Sequence, residues 1–188
     1  MNSGTIIILV VAVVAVLAIG AAIWMYLQKK RTDRLRSRFG PEYERVVDTD
    51  GDRRRAESVL EQREQRVDKL DIRPLTNEDR QRFSQAWTRA QAQFVDDPKS
   101  AVAEADRLIA EVMKIRGYPV GDFEQRAADI SVDHPMVVEN YRLAHAIAVR
   151  DKRGEAGTED LRKAMVHYRA LFEELLETRA VAAKGGRK

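Results

Sequence analysis

The chain has no cysteine among its 188 residues, so disulfides, thiolate nucleophiles and cysteine-based zinc or iron–sulfur sites are excluded. It also lacks a nucleophile elbow, a phosphate-binding glycine loop and an HExxH motif. Serine and threonine occur mostly where helices are expected to begin. We therefore expect no catalytic residue, no cofactor and no metal, and we predict that the chain is not an enzyme.

Charge is absent from one long segment near the N-terminus. Residues 6–27 contain no Asp, Glu, Lys or Arg and are almost entirely aliphatic. At about 1.5 Å per residue a helix of this length reaches roughly 33 Å, enough to cross a hydrocarbon core of about 30 Å. A helix satisfies its own backbone hydrogen bonds and is therefore the form expected in lipid. We predict one transmembrane anchor within residues 1–28.

A cleaved signal peptide is the main alternative for this segment. Such peptides have a basic start, a shorter apolar core and a small-x-small cleavage site. Residues 1–5 carry no charged side chain, and the apolar run is too long for a signal core. The aromatic rings of Trp24 and Tyr26 lie at its C-terminal end, where such rings favour the headgroup level. These features favour a permanent span.

A basic segment follows the span directly and predicts both orientation and a lipid contact. By the positive-inside rule the N-terminus lies outside the cell membrane and the C-terminal domain is cytoplasmic. Near an anionic surface each basic residue contributes about 1 kcal/mol. We therefore expect the lipid bilayer and its anionic headgroups to be partners of this segment. The predicted membrane-interface residues are Trp24, Tyr26, Lys29, Lys30, Arg31, Arg34, Arg36 and Arg38.

The formal net charge of +3 comes from the two ends of the chain. The basic segment after the span and the last few residues are cationic, whereas the body between them is mildly acidic. A nucleic-acid-binding protein would instead place basic residues on its folded module. We therefore expect no nucleic-acid partner.

The remainder of the chain shows helical periodicity and no convincing period-two alternation, which predicts an all-α fold. We expect a basic collar and charged helix in residues 29–75, a small helical bundle in 76–178 and a disordered basic tail in 179–188. Gly40-Pro41 should end the first helix near Phe39. Residues 53–70 form either a stalk or a helix packed on the bundle.

Capping residues predict where the later helices begin. Thr76, Asp97 before Pro98, and Asp122 each precede a periodic apolar stripe. Gly117 should end the helix that starts at Pro98. Further caps are predicted at Asp133, with Pro135 in the first turn, and at Thr158.

Two groups of residues suggest chemistry only weakly. The segment 48–52 alternates carboxylates like the start of a calcium loop, but Arg53 and Val59 occupy the positions where such loops need glycine and a bidentate acid. We interpret it as a turn that caps the next helix.

His134 and His145 are eleven residues apart, whereas metal-binding pairs on helices are usually three or four apart. We interpret His134 as a capping residue and His145 as a half-buried, hydrogen-bonded side chain.

Several short segments together resemble a bacterial family of uncharacterised proteins, often labelled hypothetical or secreted, with an N-terminal membrane segment and a helical domain. The resemblance runs from residue 38 to the end of the last helix and implies a bacterial, membrane-anchored helical protein without indicating an activity. The segments that carry it are 94–98, 104–108, 112–113, 116–119, 133–135 and 141–145.

Three functions are compatible with these features. The leading one is a membrane-tethered protein-interaction or adaptor module with an unknown protein partner. The second is a ligand- or metal-dependent sensor or enzyme that uses His134 and His145. The third is a structural envelope protein that self-associates through residues 158–177. Aromatic residues such as Trp87 and Phe94 are expected in the core, or else along a groove for a partner helix.

Overall fold

The computed structural model describes residues 3–177, and within these the chain is all-helical, with no strand. The predicted basic tail, 179–188, lies outside the described residues. The all-α prediction is confirmed. The helices are α1 (Ser3–Phe39), α2 (Pro41–Asp50), α3 (Arg53–Val67), α4 (Asn77–Gln93), α5 (Pro98–Arg116), α6 (Phe123–Asp133), α7 (Val138–Lys152) and α8 (Thr158–Glu177).

α1 combines two environments in one uninterrupted helix. Its segment Val11–Phe39 is long and apolar enough to cross a membrane, judged by length and composition. Its last two turns instead enter the folded domain, where Leu35 and Phe39 are fully buried. Gly40 then adopts a positive φ of 51°, and Pro41 begins α2. The helix break predicted at Gly40-Pro41 is confirmed.

The described residues form two adjoining hydrophobic cores. The larger core lies among α4, α5, α6, α7 and α8, where the ring of Trp87 stacks on Phe172 with centroids 4.4 Å apart. The smaller core joins the end of α1 to α2, α3 and α6. Its buried members are Leu35, Phe39, Tyr43, Val46, Ala56, Leu60, Val67 and Val132.

α3 is part of this smaller core. Of the two arrangements that the sequence left open, the structure therefore shows the packed one. Leu60 is fully buried, and Leu70 and Ile72 pack against both cores. The link from α3 to α4 then runs along the end of α5, where the Arg73 amide donates a 2.9 Å hydrogen bond to the Arg116 carbonyl.

Gly117 ends α5 as predicted, and its position cannot accommodate a side chain. The residue has φ 98°, in the left-handed region that favours glycine. A Cβ atom placed there would lie 2.4 Å from the backbone oxygen of Asp71. The close approach of this linker to α5 therefore depends on the missing side chain.

The prediction for the start of α7 is wrong. Asp133 was expected to cap α7, but it is the last residue of α6, and α7 begins at Val138 without a side-chain cap. The Asp133 carboxylate instead accepts a 2.7 Å hydrogen bond from the Tyr118 hydroxyl. Pro135 disfavours a helical conformation at His134, so α6 ends there and a turn precedes α7.

The other predicted caps lie at or next to the observed helix starts. Thr76, Asp97 and Asp122 each accept a backbone N–H bond in the first turn of α4, α5 and α6. Thr158 is itself the first residue of α8. The Gly157 carbonyl accepts the amide hydrogen bond of Leu161, so Gly157 occupies the position predicted for Thr158.

Candidate membrane interface and domain junction

The apolar part of α1 is exposed along its described side chains. Trp24 and Tyr26, predicted for the membrane interface, are 52% and 66% exposed. Lys29 and Lys30 follow them and are also exposed, and neither forms an ion pair within residues 3–177. These four residues therefore keep much of their side-chain surface accessible.

The arginines of the predicted collar behave differently, because α3 presents carboxylates to them. Arg31 donates a 2.7 Å hydrogen bond to Glu61. Arg34 donates to Glu64 at 2.7 Å and to Glu61 at 3.1 Å. Both guanidinium groups therefore hold α1 against α3, which leaves them less available to lipid than the sequence predicts.

The remaining two collar arginines also contact the domain. Arg36 forms a 3.1 Å ion pair with Glu44, and its guanidinium lies 5.2 Å from the centre of the Tyr43 ring. Arg38 lies 3.5 Å from the Asp133 carboxylate of α6. The end of α1 is thus tied to α2, α3 and α6.

A buried carboxylate lies at the centre of this junction. Glu57 of α3 is 2% exposed and accepts hydrogen bonds from the hydroxyls of Thr32, at 2.6 Å, and Tyr43, at 2.9 Å. The Arg31 guanidinium lies 3.8 Å away. A buried charge is costly unless it is hydrogen-bonded and paired, so Glu57 specifies how α1, α2 and α3 meet.

α1 and α3 lie side by side and run in the same direction. Arg31 pairs with Glu61 and Arg34 with Glu64, each thirty residues further along the chain. Trp24 fits the same register, since the guanidinium of Arg54 lies 5.5 Å from its ring centre. The first turn of α3 is therefore level with Trp24, at the end of the apolar run.

A second buried carboxylate, Glu42, joins α2 to α3 and α7. It is 2% exposed and accepts hydrogen bonds of 2.7–2.9 Å from three guanidinium groups, those of Arg45, Arg63 and Arg142. Burial alone would raise the pKa of Glu42, but the bonds from Arg45 and Arg142 outweigh it and lower the pKa to about 2. Glu42 is therefore a charged structural link between the two cores.

His134 is placed differently from the sequence interpretation. It follows the last turn of α6, not a helix start, and is 2% exposed. Its Nδ1 lies 3.0 Å from Glu174, whereas its buried Nε2 has no hydrogen-bond partner among the described residues. Burial lowers the pKa of His134, although the bond to Glu174 acts in the opposite direction.

His145 is half-buried, as expected, and its ring stacks on Phe123 with centroids 3.6 Å apart. The expected hydrogen bond is not made at Nδ1, which is buried without a partner in the part of the chain that the structure describes. Burial lowers the pKa of His145. Among the described residues no three His, Asp or Glu side chains are grouped so that they could hold a metal ion.

The segment interpreted as a capping turn is partly helical. Asp48, Thr49 and Asp50 belong to α2, which ends at Gly51. Asp52 then caps α3, and its carboxylate accepts the backbone N–H groups of Arg54 and Arg55. The turn is shorter than predicted, but its capping role is confirmed.

A groove of about 410 Å³ lies between α4 and α5. Its apolar lining comes from Phe83, Ala86, Ala90 and Leu108. Its charged rim consists of Arg82, Arg89, Arg107, Glu104 and Glu111. Arg89 forms no ion pair within residues 3–177, whereas Arg107 pairs with both glutamates. The groove thus combines apolar side chains with one arginine, Arg89, that lies near Glu104 without forming an ion pair with it.

The last helix offers less apolar surface. Its stripe of Leu161, Ala164, Met165, Tyr168, Leu171, Phe172 and Leu175 is buried in the larger core. Val166 stays exposed and lines a smaller groove of about 170 Å³ together with Phe94. Trp87 is buried in the larger core, and Phe94 is half-buried, packs against that core and lines the smaller groove.

Sequence reasoning missed Glu57, Glu61 and Glu64, although a signal for them was present. Their spacing of four and three residues places all three on one face of α3. Arg31 and Arg34, also three apart, share a face of α1. Oppositely charged faces on two helices are compatible with ion pairs between them, but the sequence alone does not show that the two helices lie side by side.

Comparisons with protein-family models, with curated proteins and with solved structures found no match for this chain.

Proposed function

We propose that the chain is a single-pass membrane protein that holds a helical interaction domain directly against the cytoplasmic face of the membrane. One observation carries the proposal: α1 passes without a break from an exposed apolar run to Leu35 and Phe39, which are buried in the domain. A flexible tether would separate anchor and domain. Here the same helix serves both.

The orientation follows from the basic residues after the apolar run. Lys29 and Lys30 are exposed and unpaired within residues 3–177, which is the charge distribution expected on the cytoplasmic side. The short N-terminus then lies outside. The bacterial origin implied by the family resemblance is part of this proposal, and it makes the cell membrane the membrane in question.

Topology can be tested with single cysteines, because the natural chain has none. Ser3→Cys and Lys163→Cys place one thiol at each end, and Lys163 is exposed on α8. A membrane-impermeant maleimide applied to intact cells should label the first variant only. Labelling at position 163 without permeabilisation would contradict the orientation. Release of the whole chain by alkaline carbonate would contradict the span.

The α4–α5 groove is the surface best suited to a protein partner. Its floor is apolar and its rim is charged, so an amphipathic helix with acidic residues flanking its apolar face fits it. Arg89, which has no ion-pair partner in residues 3–177, would meet such an acid. The domain is thus proposed to act as a membrane-bound adaptor for a helical segment of another protein.

Filling the groove tests this role. A photo-crosslinking residue at position 89 should capture one specific protein in intact membranes, and Ala86→Arg should abolish that product. Ala86 lines the groove, whereas Ala146 is exposed on α7, so Ala146→Arg is the matched control and should leave capture unchanged. Equal capture by both variants would contradict the assignment of the groove.

A further inference from the structure

The register between α1 and α3 brings a second basic segment to the end of the apolar run. Arg53, Arg54 and Arg55 form the first turn of α3, and all three are exposed. The Arg54 guanidinium lies over the Trp24 ring. If Trp24 lies at headgroup level, as aromatic rings at the end of a span do, these arginines lie there too.

These arginines are not neutralised by side-chain ion pairs within residues 3–177. Lys29 and Lys30 likewise form no ion pair within these residues. The collar arginines, in contrast, pair with carboxylates of α3 or its neighbours. Three acidic residues lie nearby. Asp52 uses its carboxylate to cap α3, while Asp48 and Asp50 are in the last turn of α2. Asp48, Asp50 and Asp52 balance the three arginines in formal charge, and Lys29 and Lys30, five and six residues after Trp24 on α1, add two further positive charges.

We infer that Arg53, Arg54 and Arg55, together with Lys29 and Lys30, form a platform that binds the headgroups of anionic phospholipids. The inference rests on the proposed membrane span and relocates the lipid contact from the collar arginines to the start of α3. Its support is charge complementarity with an anionic bilayer surface and direct continuity with the apolar run through Trp24. Each added cation near such a surface favours contact by a factor of about five.

This platform gives the membrane a role in positioning the domain. The arginines are on α3, which also carries Leu60 and Glu57 of the smaller core. Binding of headgroups at the start of α3 therefore holds the α2–α3 turn on the bilayer surface. In a zwitterionic bilayer the turn lacks this attraction, so the rigid unit of α1 and the domain is free to tilt and to carry the turn further from the surface.

The experiment uses the full chain reconstituted in vesicles. Thr49 is exposed in the last turn of α2, and Thr49→Cys provides a unique site for a fluorophore. Vesicles of phosphatidylcholine are compared with vesicles that also contain phosphatidylglycerol, both with the same small fraction of a lipid bearing a headgroup quencher. Quenching should be stronger in the anionic vesicles, and concentrated salt should remove the difference.

Two triple variants in this labelled chain separate the platform from general charge. Arg53→Gln, Arg54→Gln and Arg55→Gln together should remove the difference between the two lipids. The matched control removes three exposed arginines elsewhere, with Arg150→Gln, Arg153→Gln and Arg162→Gln, and should preserve it. Circular dichroism checks that both variants remain helical.

The possible failures are distinguishable. Equal quenching of the parent chain in both vesicle types, or a difference that survives in the first triple variant, would overturn the platform. The salt dependence of the parent chain tests the inference even if that variant fails to fold. Extraction of the parent chain from vesicles by alkaline carbonate would instead overturn the membrane span itself.

Discussion

The hydroxyl of Thr32 donates a 2.6 Å hydrogen bond to the buried carboxylate of Glu57. Thr32 lies on the helix that carries the apolar run, and Glu57 lies on α3, twenty-five residues later. Tyr43 of α2 donates to the same carboxylate. One acidic side chain therefore links three helices at the point where the apolar helix becomes part of the domain.

The ion pairs between α1 and α3 should contribute measurably to their association. Glu61→Gln removes the negative charge shared by Arg31 and Arg34, and we expect the domain to lose about 1 kcal/mol or less, because these pairs are partly exposed. Hydrogen exchange in residues 31–39 should rise in the variant. Glu159→Gln is the control, since its partner Arg162 is on the same helix. Equal exchange in both variants would contradict the role of Glu61.

Glu42 should make the domain sensitive to strong acid. Its pKa is lowered in the folded state to about 2 from an ordinary value of 4.5, so its stabilising contribution is complete above 4.5 and is lost as the pH falls towards 2. The difference amounts to roughly 3 kcal/mol. Glu42→Gln leaves three guanidinium groups around a neutral side chain and should cost about 3–5 kcal/mol near neutral pH.

Denaturant unfolding at several pH values measures this contribution. The stability gap between the parent chain and Glu42→Gln should be constant above about pH 5 and shrink below it. The same substitution at the exposed Glu159 should change stability little at any pH. A stability gap that stays constant down to pH 2 would show that the acid sensitivity of the domain does not come from Glu42.

His134 should affect the stability of the domain in a different pH range from Glu42. Because burial lowers its pKa in the folded state, the unfolded chain takes up a proton first as the pH falls below 6.5, and stability declines there. The slope cannot exceed about 1.4 kcal/mol per pH unit for one proton. His134→Gln should flatten this decline, whereas His167→Gln, which changes a half-buried histidine bonded to Asn140, should leave it in place.

Gly117 and Gly51 should differ in their tolerance of a methyl group. Both have positive φ, so replacement by alanine strains the backbone at either position by about 1–2 kcal/mol. Only at Gly117 would the new Cβ also meet the Asp71 backbone oxygen, while nothing lies within 4 Å at Gly51. Thermal unfolding should therefore show a clearly larger loss for Gly117→Ala. Equal losses would contradict the close approach of the linker.

The sequence was most informative where a local rule applied. Thr76, Asp97 and Gly117 act within one turn of the chain, and the helix ends that they predict are observed. His134 and Asp133 were misplaced because their partners, Glu174 and Tyr118, come from distant parts of the fold. Tertiary contacts at these two positions outweigh the local preference for a cap.

The ion pairs of the collar arginines were not predicted for the same reason. Periodicity and charge showed that Arg31 and Arg34 follow the apolar run, which alone suggests a lipid contact. Their pairing with Glu61 and Glu64 depends on α2 reversing the chain so that α3 lies beside α1. Arg54 reaches Trp24 by the same reversal. No spacing within either helix contains that information.

The proposed continuity of a membrane anchor with the domain is tested most directly by a distance measurement in a bilayer. One spin label is attached at Leu17→Cys, in the apolar part of α1, and the other at Lys163→Cys, on α8 of the domain. Both positions are exposed. Electron spin resonance should yield one narrow distance distribution, because α1 is embedded in the smaller core. A broad distribution, typical of a domain on a flexible tether, would contradict the account.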